Sequence, residues 1–160
     1  MSRAVGRLTW LVLALAAFCA CTAVGGQQAE VLGPNLVANS SFEEDDQGPA
    51  AWNWGLNRGA KASMSIDNTV AHSGSRSVRL HSESGYAPHV FGGLWQVVAG
   101  LPPRSEYLIR LWARGKNVGI CWFGGGPDWA ARQSFPTGDY GWRQLELRWA
   151  APAHAVRRRR

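Results

Sequence analysis

The sequence predicts an all-β protein, and two observations support that fold class. From Asn35 onward apolar and polar residues alternate with a period of two, and no stretch sustains the 3.6-residue period of an amphipathic helix. Clusters of Gly, Pro, Asn and Ser separate the alternating runs, as turns separate strands. Several short strands with this spacing predict a β-sandwich built as one domain.

The individual strands follow from the same alternation. Four runs have one apolar and one polar face, which is typical of strands that are packed on one side and wet on the other. They are residues 61–66, 77–81, 107–114 and 144–149. Residues 93–99 and 118–123 are apolar on both faces and are predicted to be central strands. We also expect an opening strand that ends at Phe42.

The N-terminal region is typical of a targeting segment. Arg3 and Arg7 precede an apolar run, Leu8–Cys21, and small residues follow it. The run has signal-peptide length and is too short for an ordinary membrane span. We expect an exported protein, secreted or anchored in the cell envelope; a buried N-terminal helix is the alternative. The expected division is a signal peptide at 1–26, a short linker at 27–34, the β-sandwich at 35–156 and a basic tail at 157–160.

Two processing routes remain open for this segment. Cys21 could be lipidated as in a bacterial lipoprotein, although Phe18 stands where such signals prefer Leu, or the chain could be cleaved after Gly25 or Gly26. A lipid on Cys21 would be the only expected contact with a membrane. Both routes leave Cys121 without an intramolecular disulfide partner, and its apolar neighbours favour a buried, unreactive thiol.

The charge distribution argues against nucleic acid as a partner. The chain carries 17 basic and 11 acidic residues, but six of the basic residues are Arg3, Arg7 and the last four arginines. The body between them is neutral and contains eight of the nine tryptophans. A neutral, Trp-rich body favours stacking on an uncharged, flat ligand over electrostatic binding of a polyanion.

Four segments then occur in an order that is similar to one known family. They are residues 35–43 (NLVANSSFE) followed by Trp52 or Trp54, residues 71–80 (AHSGSRSVRL), residues 95–97 (WQV) and residues 107–114. From Asn35 to Val156 the chain resembles a carbohydrate-binding module of the CenC type, in the family 4, 9 and 22 group. The resemblance implies a galactose-binding-like jelly roll that binds carbohydrate without catalysis and is normally attached to a glycoside hydrolase.

The resemblance also implies features near the two ends of the body. Such modules continue past Pro152 with further strands and a late aspartate, so the resemblance predicts a sandwich that lacks its last one or two strands. Truncation of the chain, or a strand supplied by another molecule, would account for this. A structural calcium is implied as well, with Glu43 as its best ligand here; a solvated acidic loop at residues 43–46 is the alternative.

Candidate binding residues follow from what sugars need. A sugar lays its C–H face on an aromatic ring and pairs its hydroxyls with polar side chains. If Leu111 points inward, Trp112 points to solvent between Arg110 and Arg114, and it is the first candidate. Further candidates are Trp122, Trp129, Trp95, Gln96 and Asp128. Core packing is the alternative for each Trp, and we expect it for Trp149 and for one of Trp52 and Trp54.

The sequence offers little for catalysis. It lacks an evident pair of facing carboxylates, metal-ligand spacing among its four histidines and a nucleophile elbow. We therefore expect a monomeric accessory module, without enzymatic activity, that binds a polysaccharide or oligosaccharide. The alternatives are a surface adhesion or structural module without a sugar site, and a fragment of a glycosidase.

Overall fold

The structure is a computed structural model that describes residues 9–14, 33–44, 51–57, 59–85 and 87–153. The strands are β1 (Thr9–Ala14), β2 (Asn53–Leu56), β3 (Ala62–Asp67), β4 (Ser77–Ser82), β5 (Gly92–Trp95), β6 (Glu106–Val118), β7 (Trp122–Gly125), β8 (Ala131–Ser134) and β9 (Gly138–Ala150). A single-turn 3₁₀ helix spans Pro127–Trp129. The described residues contain no α-helix, and none of their helices could cross a membrane. The predicted all-β class is confirmed.

The main sheet has five antiparallel strands in the order β3-β4-β1-β6-β9. The four runs predicted from their alternation form β3, β4, β6 and β9, and their alternating apolar residues are buried or half-buried. The ladder between β6 and β9 extends from the pair Glu106 and Ala150 to the pair Val118 and Gly138, and its register shifts on either side of Gly115. Gly115 is required there because a Cβ would collide with Val118 and Tyr140.

The core lies on one face of this sheet, here termed the inner face. Leu111 and Ala113 of β6 are buried there, and the β7–β8 ladder covers them. Phe123 packs against Phe135 with ring centroids 5.2 Å apart, while Val118 and Tyr140 complete the buried set. The opposite face, here termed the outer face, presents the alternate residues of each strand.

A second two-stranded ladder, β2–β5, lies beside β3, since a Cβ at Gly92 of β5 would be 3.1 Å from the Ala62 Cβ of β3. Trp54 of β2 lies across Gly92 of β5 and next to Ala62 of β3, so that a Cβ at Gly92 would be 2.6 Å from the indole. Trp52 packs against Phe42 with ring centroids 5.4 Å apart. Both tryptophans are half-buried, as is Trp149, which stacks on Tyr107.

Three of the predicted strands are wrong. Residues 93–99 do not form a central strand, because β5 includes only the first three of them and pairs with β2 in a two-stranded ladder. Residues 33–44 form turns, because Asn39 and Phe42 take left-handed backbone angles and the Phe42 N–H donates to the Asn39 carbonyl. Phe42 is nevertheless 1 % exposed. Residues 118–123 are not one strand either: β6 ends at Val118 after Asn117, whose φ is 53°.

The position of β1 is unexpected. Thr9–Ala14 belongs to the apolar run predicted to be a signal peptide, yet its backbone lies in the middle of the main sheet and pairs with β4 on one side and β6 on the other. Removal of the segment on export stays a prediction. Cys21, residues 27–32 and the basic tail lie outside the described residues.

Candidate functional site

Trp95 forms a flat aromatic platform on the surface of the β2–β5 ladder. Gly55 of β2 and Gly93 of β5 pair with each other, and the Trp95 indole lies over both. A Cβ at Gly55 would be 2.8 Å from Cη2 of the indole, so the ring can lie this close to the backbone only because Gly55 has no side chain. The side chain remains 44 % exposed. Trp95 therefore offers ring surface to a ligand.

The two strands that carry this platform have one polar side chain, that of Asn53. Neither β2 (NWGL) nor β5 (GGLW) contains a charged residue. Asn53 pairs with Trp95 across the ladder, and its amide donates to the Trp95 carbonyl at 3.4 Å. An amide beside an exposed ring is the combination that a sugar hydroxyl and its C–H face require.

Gln96, a predicted binding residue, instead holds two loops together. Its side-chain oxygen accepts a hydrogen bond from the Ala38 N–H at 2.8 Å, and its Nε2 donates to the carbonyls of Ala38 and Ala51 at 3.0 and 3.1 Å. These contacts use its oxygen and both N–H groups. The adjacent Trp95 is thereby fixed to the rest of the domain.

Trp112 lies on the outer face, as its alternation with Leu111 predicts, but another ring covers it. The His72 imidazole stacks on the Trp112 indole with centroids 3.8 Å apart and planes at 15°. Trp142 meets the same imidazole edge-on at 5.5 Å. The stack occupies the ring face on which a sugar was expected to lie.

The two arginines that flank Trp112 differ in their contacts. Arg110 donates from Nε to Glu146 at 2.6 Å, across the ladder with β9. Arg114 lines a groove of 520 Å³ beside Lys116 and Trp142. The predicted pair of outward arginines is therefore present, but Glu146 already engages one of them.

The remaining predicted residues lie elsewhere. Trp122 alternates with the buried Phe123 on β7, so it points away from the main sheet and is 38 % exposed. Trp129, at the end of the 3₁₀ helix that also contains Asp128, is 51 % exposed. Because β7 covers the inner face, Trp122 and Trp112 point to opposite sides of the domain and cannot line one groove.

Glu43 joins two of the sequence segments that carried the family resemblance. Its Oε1 accepts hydrogen bonds from the backbone N–H groups of Ser75 and Arg76 at 3.0 and 2.9 Å, and its Oε2 accepts one from the Ser75 hydroxyl. The Ser75 hydroxyl, these backbone N–H groups and the Arg76 charge lower the pKa of Glu43. Gly74 has a φ of 69°, and a Cβ there would lie 2.5 Å from Oε1.

The structure thus gives Glu43 a role in holding the turn at residues 73–76. Donors that point at both oxygens suit a carboxylate held by hydrogen bonds. Among the residues that the structure describes, no three His, Cys, Asp or Glu side chains come together as a metal site. Calcium at Glu43, with carbonyl oxygens as further ligands, stays a prediction.

Desolvation raises the pKa of two titratable groups, the half-buried Cys121 and the buried Tyr140. Desolvation raises the pKa of the Cys121 thiol to about 12, which keeps it protonated and agrees with the expected unreactive cysteine. Burial also raises the pKa of Tyr140. The Tyr140 hydroxyl is buried and has no hydrogen-bond partner within the described part of the chain.

Part of the chain is similar to a known protein family. The sequence profile of the Cip1-like core domain, which is described as polysaccharide lyase-like, matches residues 41–118. The matched segment begins beside Glu43 and includes the Trp95 platform and all of β6. The chain carries a carbohydrate-related all-β domain. No curated protein and no solved structure matches it.

Several of these arrangements were not predicted from the sequence. The sequence shows the adjacent glycines Gly92 and Gly93, but the packing of Trp54 on Gly92 and the pairing of Gly93 with Gly55 depend on which strands are neighbours. The His72 stack on Trp112 joins residues that are distant in sequence. Sequence alternation could have placed Lys116 on the same face as Arg114, and it was missed because the predicted strand stopped at Arg114.

Proposed function

We propose that this protein binds carbohydrate without catalysis and that Trp95 is the principal stacking surface. The observation that supports this most directly is the Trp95 indole, which lies on Gly55 with its side chain 44 % exposed. The match to a carbohydrate-related family supports the substrate class. The ligand at this site is an uncharged pyranose within a polysaccharide or oligosaccharide, since β2 and β5 contain no charged residue.

The magnitude of stacking fits weak, reversible binding. A sugar that covers one face of an indole removes about 100 Å² from water, which contributes roughly 2–3 kcal/mol at ~25 cal/mol/Å². The cost of association offsets much of this contribution, so one platform with a few hydrogen bonds predicts a Kd between about 1 μM and 1 mM. Such a module raises the local concentration of an attached enzyme on its polymer.

The proposal also includes the type of module and its export. The order of motifs supports a CenC-type module with a jelly-roll sandwich that accompanies a glycoside hydrolase and acts as a monomer. The apolar run that begins at Leu8 supports export, with secretion or a lipid on Cys21 as the two destinations.

The test compares two substitutions at the platform. Trp95→Ala should weaken binding to a neutral polysaccharide at least tenfold in affinity gels, because the loss of ~2 kcal/mol exceeds the ~1.4 kcal/mol of a tenfold change. Gly55→Ala keeps the indole but should displace it, because its Cβ would be 2.8 Å from Cη2. We expect a three- to tenfold loss, about 1 kcal/mol, for that variant.

Matched controls separate binding from folding. Gly119→Ala adds the same methyl group where nothing lies within 4 Å, and it should change neither Tm nor affinity. Trp129→Ala removes an exposed tryptophan, 51 % exposed against 44 % for Trp95, from another surface and should leave affinity within twofold. Retained binding in Trp95→Ala with an unchanged Tm would refute Trp95 as the site. If no neutral glycan in an array binds the unaltered protein, the adhesion or structural alternative is favoured.

A further inference from the structure

A second surface, on the outer face of the main sheet, has a different chemical character. The register shifts around Gly115 interrupt the ladder between β6 and β9. A groove of 520 Å³ lies at this point. Its lining consists of Arg114, Gly115, Lys116, Asp139, Tyr140, Gly141 and Trp142. The Trp95 platform belongs to the β2–β5 ladder, so the two surfaces are separate.

The groove contains two cations without partners. Arg114 and Lys116 are both exposed and alternate with the buried Ala113 and Gly115, so they project from the same face of β6. Among the residues that the structure describes, neither forms an ion pair or a hydrogen bond. Arg110, in the same row of β6, differs because Glu146 lies 2.6 Å from its Nε.

The one carboxylate of the groove is already engaged. Asp139 accepts a hydrogen bond from the Asn117 N–H at 2.6 Å, a contact that holds the end of β6 against β9. With Arg114 and Lys116 as cations and Asp139 as the anion, the lining of the groove has a formal charge of +1. A ligand with a negative group would pair with Arg114 and Lys116 without displacing an existing partner.

Trp142 supplies the apolar part of the groove. It is half-buried, and its contact with the His72 ring, at 73° between planes, fixes its orientation beside the two cations. An indole next to free cationic groups suits a ligand that joins a flat ring face to an anionic substituent. Sugars that carry a carboxylate or a sulfate ester have both features.

We propose that the groove at Arg114, Lys116 and Trp142 is a second saccharide site and that it selects sugars with a negative charge. The body of the chain has equal numbers of basic and acidic residues, so its net charge does not indicate this preference. Asp139 is the one acidic residue that lines the groove. Asp139 and Trp142 lie outside residues 41–118, the segment that matches the Cip1-like profile, so the site depends on β9 of this chain. The proposal does not depend on the Trp95 site, so it can hold even if Trp95 binds no sugar.

The experiment measures the affinity of the full chain for four probes by calorimetry. The probes are an oligogalacturonate, a sulfated carrageenan oligosaccharide, an uncharged galacto-oligosaccharide and inorganic sulfate. At least one charged oligosaccharide should bind ten or more times tighter than the uncharged one, and added NaCl should weaken that binding. The carboxylate and sulfate probes identify which anion the groove prefers.

The variants then locate the site. Arg114→Gln and Lys116→Gln should each weaken the charged oligosaccharide about three- to tenfold and reduce its salt dependence. Lys61→Gln, a matched substitution of an exposed lysine beside β3 at the far edge of the sheet, should have no effect. Trp95→Ala should also leave this affinity unchanged, which separates failure here from failure of the neutral site.

Four outcomes would overturn the proposal, and the third of them is measured with AMP as an additional probe. One is equal affinity for charged and uncharged oligosaccharides. Another is an equal loss in Lys61→Gln, which would indicate nonspecific attraction to the whole surface. The third is tighter binding of a mononucleotide such as AMP, whose base and phosphate would also fit a ring beside two cations. The fourth is competition by inorganic sulfate at the same concentration as the oligosaccharide. Since sulfate has no ring face, that result would show that the groove binds the anion alone and that Trp142 has no role.

Discussion

At the scale of single residues, the contact between His72 and Trp112 changes what Trp112 is expected to do. The sequence favoured an exposed platform, for which loss of the ring would weaken binding and leave stability unchanged. In the structure His72 covers the ring at 3.8 Å, and the imidazole Nδ1 is buried without a hydrogen-bond partner among the described residues. Both rings therefore contribute to packing on the outer face.

Trp112→Ala should accordingly lower stability. Removal of a half-buried indole together with its stacked partner should cost about 2 kcal/mol, or roughly 4–8 °C in Tm at 2–4 °C per kcal/mol. Trp112→Phe keeps an aromatic ring against His72 and should lose less than half of that. Thermal melts of both variants test the assignment. An unchanged Tm with lost glycan binding in Trp112→Ala would instead restore the platform predicted from the sequence.

At the scale of elements, the turn at residues 73–76 depends on one carboxylate. Glu43 accepts hydrogen bonds from Ser75 and Arg76, and its pKa is lowered below the ordinary value of 4.5. A carboxyl with a lowered folded-state pKa stabilises the protein fully above its unfolded pKa, and that stabilisation is lost as the pH falls through the folded pKa. The turn positions His72, so its stability also affects the outer face.

Glu43→Gln should therefore be less stable than the unaltered protein at pH 7, and the difference in Tm between the two should shrink as the pH falls below about 4.5. Urea or thermal unfolding at pH 7, 5, 4 and 3 measures this convergence. Because the other acidic groups titrate in both proteins, the difference isolates Glu43. A difference that stays constant across this range would show that its charge does not hold the turn.

The elements also show what sequence reasoning reaches and what it does not. Period-two alternation located β3, β4, β6 and β9 because their apolar residues face one core. It failed at Phe42, where burial is achieved by a left-handed turn instead of a strand. In the candidate site, the alternation correctly placed Trp112 and Arg114 on the outer face. It could not show that His72 covers Trp112, because that contact joins segments that are distant in sequence.

At the scale of the whole molecule, the main sheet depends on β1. Strands β4 and β6 do not pair with each other, and Thr9–Ala14 lies between them. Every interior N–H of a strand with two neighbours faces one of them, so a proline there removes a ladder bond and strains the backbone. The unprocessed chain should therefore tolerate apolar replacements in β1 far better than proline.

Leu11→Pro should lower the stability of the unprocessed chain by about 3 kcal/mol or more, or abolish soluble expression. Leu11→Val, which keeps the N–H and the apolar character, should cost about 1 kcal/mol or less. Melting temperatures are compared after intact mass has verified that Met1 is retained. Identical melting of the proline and valine variants would show that the folded domain does not need this strand.

The place of β1 also carries a consequence for timing. About 100 residues lie between β1 and the end of β6, so a ribosome adding about 5–20 residues per second needs roughly 5 to 20 s to complete both neighbours of β1. Until β4 at residues 77–82 has been made, the first hydrophobic segment to emerge has no partner strand, and its second partner, β6, is completed later still. Any export machinery that recognises it competes only with chain elongation, and a pause in translation before residue 77 would lengthen its opportunity.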